Sequence, residues 1–122
     1  MTTVGVWLAV LLVGGVGAVA RFELDRAVTR RAGGRFPTGT LVVNLSGATI
    51  LGFIAAVGLP AYAVLILGTG LIGAYTTFST WMLESSRLAE EGQWQRAAVN
   101  IVMSLVLGVL AAGIGGWIGA HL

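Results

Sequence analysis

The feature that most constrains this chain is its longest uncharged run, because residues 36–83 contain no acidic, basic or histidine side chain. A helix crosses the bilayer core with about 20 residues, so this run is too long for one crossing and suits two. A turn at residues 58–60, Gly-Leu-Pro, divides it. Two further apolar runs flank it, and 57% of all residues are hydrophobic while 10% are charged. The sequence therefore predicts an all-α integral membrane protein whose four transmembrane helices cover approximately residues 3–21, 38–57, 61–83 and 97–119.

The third predicted span contains a stretch that a continuous helix in lipid disfavours. Residues 68–81 read GTGLIGAYTTFSTW. Glycine costs about 1 kcal/mol against alanine in a helix interior, and Thr and Ser side chains bond to nearby backbone and bend helices. Close helix packing explains the glycines equally well, but the Thr-Thr-Phe-Ser-Thr run favours a site. We therefore predict a third helix that is broken at mid-membrane, where non-helical backbone must be buried in protein or line a wet cavity.

The residue inventory excludes several classes of function. The chain has no cysteine, and its one histidine, His121, stands next to the last residue. Thiolate chemistry, zinc sites and catalytic triads are therefore excluded, and no constellation of acid, base or nucleophile indicates an enzyme. The interiors of the predicted spans carry no charged residue, whereas a proton-coupled transporter normally has a carboxylate or histidine there. An uncharged track of hydrogen-bond donors suits a small anion.

Two polar pairs indicate where such a track lies. Thr40 and Asn44 are four residues apart on the second span, and Asn100 and Ser104 are four apart on the fourth, so each pair shares a helix face. The alternative is hydrogen bonding between helices, worth about 0.6 kcal/mol per bond. Two such faces beside the hydroxyl-rich third span favour a polar track through the helix bundle.

The arginines predict an orientation. All seven basic residues are arginines, and they lie in the two polar segments 21–35 and 84–96. Four spans place both segments on one side of the membrane, and short arginine-rich segments stay cytoplasmic. Both termini should therefore be extracytoplasmic, in a multi-pass protein of the cell membrane that inserts in one direction only.

Three motifs occur in order along the chain: GGVGAVAR at 14–21, GTLVVNLSG at 39–47 and GAYTTFST at 73–80. With them the sequence resembles the Fluc (CrcB) family of bacterial fluoride channels over nearly its whole length. The resemblance implies passive, fluoride-selective export that lowers cytoplasmic fluoride, through an antiparallel dimer of the dual-topology type with two pores.

The resemblance also implies roles for particular residues. It places Asn44, Phe78, Thr40 and Ser104 along the fluoride pore, with Ser79, Thr80 and Trp81 beside them. It implies one structural Na⁺ at the dimer centre, not transported, held by the backbone carbonyls of Gly73 and Thr76. Arg21 ends the first motif and is expected at the pore vestibule.

The chain departs from the family pattern in ways that affect the expected assembly. Trp81 stands where the family has its second pore phenylalanine, and Asn100 where some members carry tyrosine. One-way insertion is incompatible with an antiparallel homodimer, so we expect a heterodimer with an oppositely oriented paralogous subunit. One alternative is a non-conducting or half-active partner subunit. A more remote one is a small multidrug-type proton antiporter, which needs a carboxylate inside the first span.

Overall fold

A computed structural model describes residues 2–34 and 36–122, and all of its regular structure in these ranges is helical. In chain order the segments are α1 (Thr3–Ala32), α2 (Thr38–Ala56), α3 (Ala61–Val64), a π-helix (Leu65–Ile72), α4 (Gly73–Tyr75), α5 (Ser79–Glu90) and α6 (Trp94–Ala120). The segments from α3 to α5 follow one another along one bent span, Ala61–Glu90. The prediction of an all-helical chain with four spans long and apolar enough to cross a membrane is confirmed.

The first helix is longer than a bilayer crossing requires. The Thr2 side chain caps its start by accepting a hydrogen bond from the Gly5 amide at 3.0 Å. Gly33 ends it in the left-handed region with φ +85°, which glycine adopts without steric cost. The 30 residues between them span about 45 Å, against about 30 Å of hydrocarbon. The polar segment that begins at residue 21 is therefore helical as far as Ala32, since those residues continue α1.

Helices α2 and α6 pack with their backbones in contact because small residues line the contact. A Cβ added to Gly115 would overlap the Thr49 carbonyl. A Cβ added to Gly119 would lie 2.7 Å from the Phe53 carbonyl oxygen. Close backbone approach of this kind is how helices associate in lipid, where the hydrophobic effect gives no drive for two apolar surfaces to meet.

The π-helix packs against α1 in the same way. A Cβ on Gly70 would lie 2.9 Å from Val13 Cγ2 and 3.1 Å from Val10 Cα, and one on Gly17 would overlap the Leu71 carbonyl. Gly70 therefore serves helix packing, which is the alternative that the sequence left open for the glycines. The wider π-helical turn spans Leu65–Ile72 and leads directly into the short α4.

The α2–α6 contact gives a prediction about stability. We expect Gly115→Ala to destabilise the fold by about 1–3 kcal/mol, because the added methyl group forces two packed backbones apart. Denaturant-induced unfolding in detergent measures the effect. Gly113→Ala is the matched control on the same helix, since a Cβ there meets nothing within 4 Å. Equal stability of the two variants would contradict the packing described for Gly115.

Candidate functional site at the interruption of the third span

The backbone leaves helical geometry between α4 and α5, at residues 76–78. Thr76 is extended, with φ −83° and ψ 163°. The Asn44 side chain from α2 replaces the missing helical hydrogen bonds of the next residue. Its Oδ1 accepts from the Thr77 amide at 2.8 Å, and its Nδ2 donates to the Thr77 carbonyl at 2.9 Å. One side-chain amide thus satisfies both backbone groups of Thr77, which removes the cost of leaving them unpaired.

Local side chains complete the hydrogen bonding of the two half-helices. The Thr80 amide donates to Thr77 Oγ1 at 3.2 Å, so Thr77 caps the start of α5. In a continuous helix the Thr77 and Thr80 amides would bond to the carbonyls of Gly73 and Thr76. Because both amides donate to side chains instead, these two carbonyls lose their helical partners at the negative end of a half-helix.

Helix α2 is fitted closely against the interruption. The hydroxyls of Ser46 and Tyr75 lie 2.8 Å apart and share a hydrogen bond. Gly47 leaves the space that this contact needs, since a Cβ there would overlap Thr76 Cγ2 and lie 3.3 Å from Tyr75 Cδ2. The residues around Asn44 therefore hold the interruption from one side over about one helical turn.

An open groove of about 300 Å³ runs along the interruption. We call it the break groove, and it is lined by Asn44, Gly47, Ala48, Leu51, Thr76, Thr77, Phe78 and Trp81. Phe78 is 70% exposed although it follows a long apolar span. The Trp81 ring meets it edge to face, with centroids 5.6 Å apart and planes at 78°. The break groove therefore combines an aromatic pair with a neutral amide and hydroxyls.

A small cavity of about 10 Å³, roughly the size of one water, also contacts Thr77. This polar cavity is lined by Arg21, Asp25, Thr40, Val43, Thr77 and Thr80. Arg21 Nε is buried without a hydrogen-bond partner among residues 2–34 and 36–122. Thr40 is buried and donates its hydroxyl hydrogen to Glu84 Oε1 at 2.5 Å. Three hydroxyls and the Arg21 guanidinium thus line this cavity together with the Asp25 carboxylate, and the Thr40 hydroxyl already donates to Glu84.

The structure brings together most of the residues that the sequence selected. The break groove contains Asn44, Phe78, Trp81 and Thr76, whereas the polar cavity contains Arg21, Thr40 and Thr80. Thr77 lines both. Ser79 is exposed and lines neither space, and Gly73 is exposed beside them. Ser104 also lines neither space, and its buried Oγ has no hydrogen-bond partner within the described chain.

Sequence reasoning missed two residues of this site. Thr77 was only one hydroxyl in a run, yet its backbone is what Asn44 holds. Glu84 belongs to the polar segment 84–96 and was not selected, but it lies on α5 and accepts the hydroxyl hydrogen of Thr40. In a continuous helix the spacing of Thr77, Thr80 and Glu84 (i, i+3, i+7) would place all three on one face, and this signal was available in the sequence.

The fold and the site define a multi-pass membrane protein with a neutral, donor-rich interruption in one span, which is typical of an ion pathway. Comparison with known proteins identifies the family. Residues 8–117 match the family model described as "CrcB-like protein, Camphor Resistance (CrcB)". The chain belongs to this family, which is one of fluoride ion channels and not of enzymes.

Curated relatives agree over almost the full length. "Fluoride-specific ion channel FluC 2" of Mycolicibacterium paratuberculosis is 61% identical, over 94% of both chains. The protein of the same name from Mycobacterium tuberculosis H37Rv is 56% identical, over 95% of this chain and 92% of the relative. "Fluoride-specific ion channel FluC 1" of Leifsonia xyli is 46% identical, over 92% of this chain and 85% of the relative.

The Asn44–Thr77 hydrogen bonds give a prediction about backbone order. Leucine has nearly the shape of asparagine but no polar atoms, so Asn44→Leu should leave both Thr77 backbone groups unpaired. We expect amide hydrogen exchange at residues 76–78 to rise by about tenfold or more. Exchange monitored by mass spectrometry in detergent measures it.

Thr49→Val is the control for this change on the same helix, because the Thr49 hydroxyl donates to the Leu45 carbonyl one turn earlier on α2 and makes no bond to residues 76–78. Its exchange at residues 76–78 should match that of the unaltered protein. Unchanged exchange in Asn44→Leu would show that the interruption is held by something other than Asn44.

Proposed function

We propose that this chain is a subunit of a fluoride-selective channel that passively exports fluoride and so lowers its cytoplasmic concentration. The observation that carries the proposal is the interruption held by Asn44, which presents Phe78 beside neutral donors on a membrane span. The curated relatives that cover the chain are themselves named fluoride-specific ion channels. We take the interruption to lie at mid-membrane.

The chemistry of the break groove suits a small, strongly hydrated anion. Amide and hydroxyl hydrogens replace the hydration shell of the ion, while the edge of a phenyl ring carries the positive end of its quadrupole. Since a full positive charge in the groove would trap fluoride, neutral donors favour rapid release. Asn44 retains a second amide hydrogen beyond the one that it donates to Thr77.

We infer a route from the polar cavity, past Thr77, to Phe78 in the break groove. Arg21 attracts the anion at the vestibule end, and Thr40 passes it onward once it displaces the Glu84 carboxylate from that hydroxyl. Thr80 lines the same cavity. The buried, unpartnered Ser104 hydroxyl and the exposed Ser79 are further donors that the assembled channel would use.

We propose that the carbonyls of Gly73 and Thr76 hold a structural Na⁺ at the dimer centre. Their helical donors are diverted to side chains, as described above, and Gly73 is exposed for contact with a second subunit. Hard cations prefer oxygen ligands, and the carboxyl end of a half-helix attracts positive charge. The ion would coordinate carbonyl oxygens for which lipid offers no partner, and it would not be transported.

The assembly that we propose is antiparallel, with an oppositely oriented paralogue as the second subunit. The arginines of this chain all lie in the two segments on one side of the predicted topology. Relatives carry the numbered names FluC 1 and FluC 2, which suits pairs of paralogues. A half-active subunit is the second candidate, because the Trp81 indole already donates to the Asn100 carbonyl at 3.2 Å.

Passive export needs no coupling to protons. A membrane potential of about 100 mV, negative inside, is worth about 2.3 kcal/mol on one charge. This holds internal fluoride about fifty-fold below the external level at equilibrium. A passive, fluoride-selective channel is therefore sufficient for resistance to fluoride.

Fluoride efflux from liposomes tests the proposal. With its paralogue present, the chain should release fluoride but not chloride in Na⁺ buffer, and replacing Na⁺ by N-methylglucamine should remove the activity. Phe78→Leu should slow efflux by about tenfold, because the ring edge is lost. Phe22→Leu is the control, since Phe22 is 60% exposed on α1, away from both spaces of the site.

Efflux by the chain alone, with Na⁺ dependence, would contradict the heterodimer. Absence of fluoride efflux in both preparations would favour the non-conducting subunit, and proton movement against organic cations would favour the antiporter. Equal efflux in Phe78→Leu and Phe22→Leu would remove Phe78 from the pathway.

Single cysteines test the orientation, because the natural sequence has none to interfere. Leu122→Cys, at an 85% exposed position, should react with a membrane-impermeant maleimide added to intact cells. Ala32→Cys, exposed at the end of α1, should react only after permeabilisation. Labelling of Ala32→Cys in intact cells would contradict the one-way topology.

A further inference from the structure

Three residues join α5 to α6 through a closed ring of hydrogen bonds beside the break groove. The Trp81 indole Nε1–H donates to the backbone carbonyl of Asn100 at 3.2 Å. The Asn100 side-chain amide donates to Ser85 Oγ at 2.8 Å, and the Ser85 hydroxyl donates to the Trp81 carbonyl at 2.9 Å. Each of the three residues therefore donates one hydrogen bond to one of the other two and accepts one from the remaining residue.

This ring of hydrogen bonds is buried. Asn100 is 1% exposed and Ser85 is 4% exposed. A buried amide without a partner would be costly, so the Asn100 side chain strongly favours the geometry in which Ser85 receives its hydrogen bond. The same geometry places the backbone carbonyl of Asn100 within hydrogen-bond distance of the Trp81 indole nitrogen.

The arrangement restricts what the Trp81 ring offers to the break groove. Its only hydrogen-bond donor is occupied by a protein carbonyl. The ring is also held edge to face against Phe78, with centroids 5.6 Å apart. Trp81 therefore contributes an oriented aromatic surface to the groove and no free N–H group.

We propose that Asn100 and Ser85 are positioning residues that fix the Trp81 indole against Phe78 and keep its N–H away from the permeating anion. This inference rests on the proposed function for its effect on fluoride, but the positions of the groups do not depend on it. A freed indole N–H would bind fluoride at the groove and slow its release, because conduction requires weak binding. Release of the Trp81 ring would also disorder the edge-to-face contact that it makes with Phe78.

The first test measures hydrogen exchange at the Trp81 indole N–H and does not require a conducting channel. In the chain labelled with ¹⁵N-tryptophan in micelles, the Trp81 indole N–H resonance is assigned by its loss in Trp81→Phe. We expect slow hydrogen exchange in the unaltered chain and exchange faster by about fivefold or more in Asn100→Leu. The Trp94 indole, on a residue that is 69% exposed, is the internal reference.

Two further variants guard against a folding defect in Asn100→Leu. Ser85→Ala should reproduce its effect on the Trp81 indole, and Ser85→Thr, which keeps the hydroxyl, should not. Gln95→Leu is the matched control, because it makes the same amide-to-alkyl change at an exposed position of α6. An unchanged Trp81 resonance and exchange rate in both Asn100→Leu and Ser85→Ala would overturn the proposal.

The second test is a double-mutant cycle on fluoride efflux with the paralogue present. Asn100→Leu should slow efflux by about fivefold in the natural background and leave it nearly unchanged in the Trp81→Phe background, where no indole N–H remains to be released. Equal slowing in both backgrounds would indicate a purely structural role and overturn the proposal. If the unaltered channel moves no fluoride, the proposed function fails, while the indole measurement still decides the positioning role.

Discussion

Lipid offers no hydrogen-bond partner to a backbone that leaves helical geometry, so every interruption of a membrane span needs partners from the protein. Here one side chain supplies both partners of one residue: the Asn44 amide pairs with the N–H and C=O of Thr77. Because Asn44 binds the Thr77 amide, that amide no longer bonds to the Gly73 carbonyl as it would in a continuous helix. The chemistry of the whole site follows from this substitution of one amide for part of a helix.

Close glycine packing positions the two sides of that interaction. Gly115 and Gly119 let α6 press its backbone onto α2, the helix that carries Asn44. Gly17 and Gly70 do the same for α1 and the π-helix that leads into the interruption. These contacts let the backbones of a small chain, with few buried large side chains, pack closely around the interruption.

Much of the site was visible in the sequence because uncharged polar residues are conspicuous in apolar spans. Asn44 and Thr40 were selected this way and Phe78 through the family resemblance, and the structure places all three around the interruption. Ser104 was selected on the same grounds but lines neither space. Glu84 was missed, since only the bend of the third span brings it to Thr40, 44 residues earlier in the chain.

The sequence by itself determined the membrane class, the four helical spans and the exclusion of enzyme chemistry, because hydropathy and residue inventory are properties of composition and order. The tertiary structure alone decided which polar groups meet. The Asn44–Thr77 pairing and the Trp81–Asn100–Ser85 ring join different helices, and no periodicity within one helix encodes their relative height. Contacts between helices depend on how the backbones pack, and that packing exists only once the chain has folded.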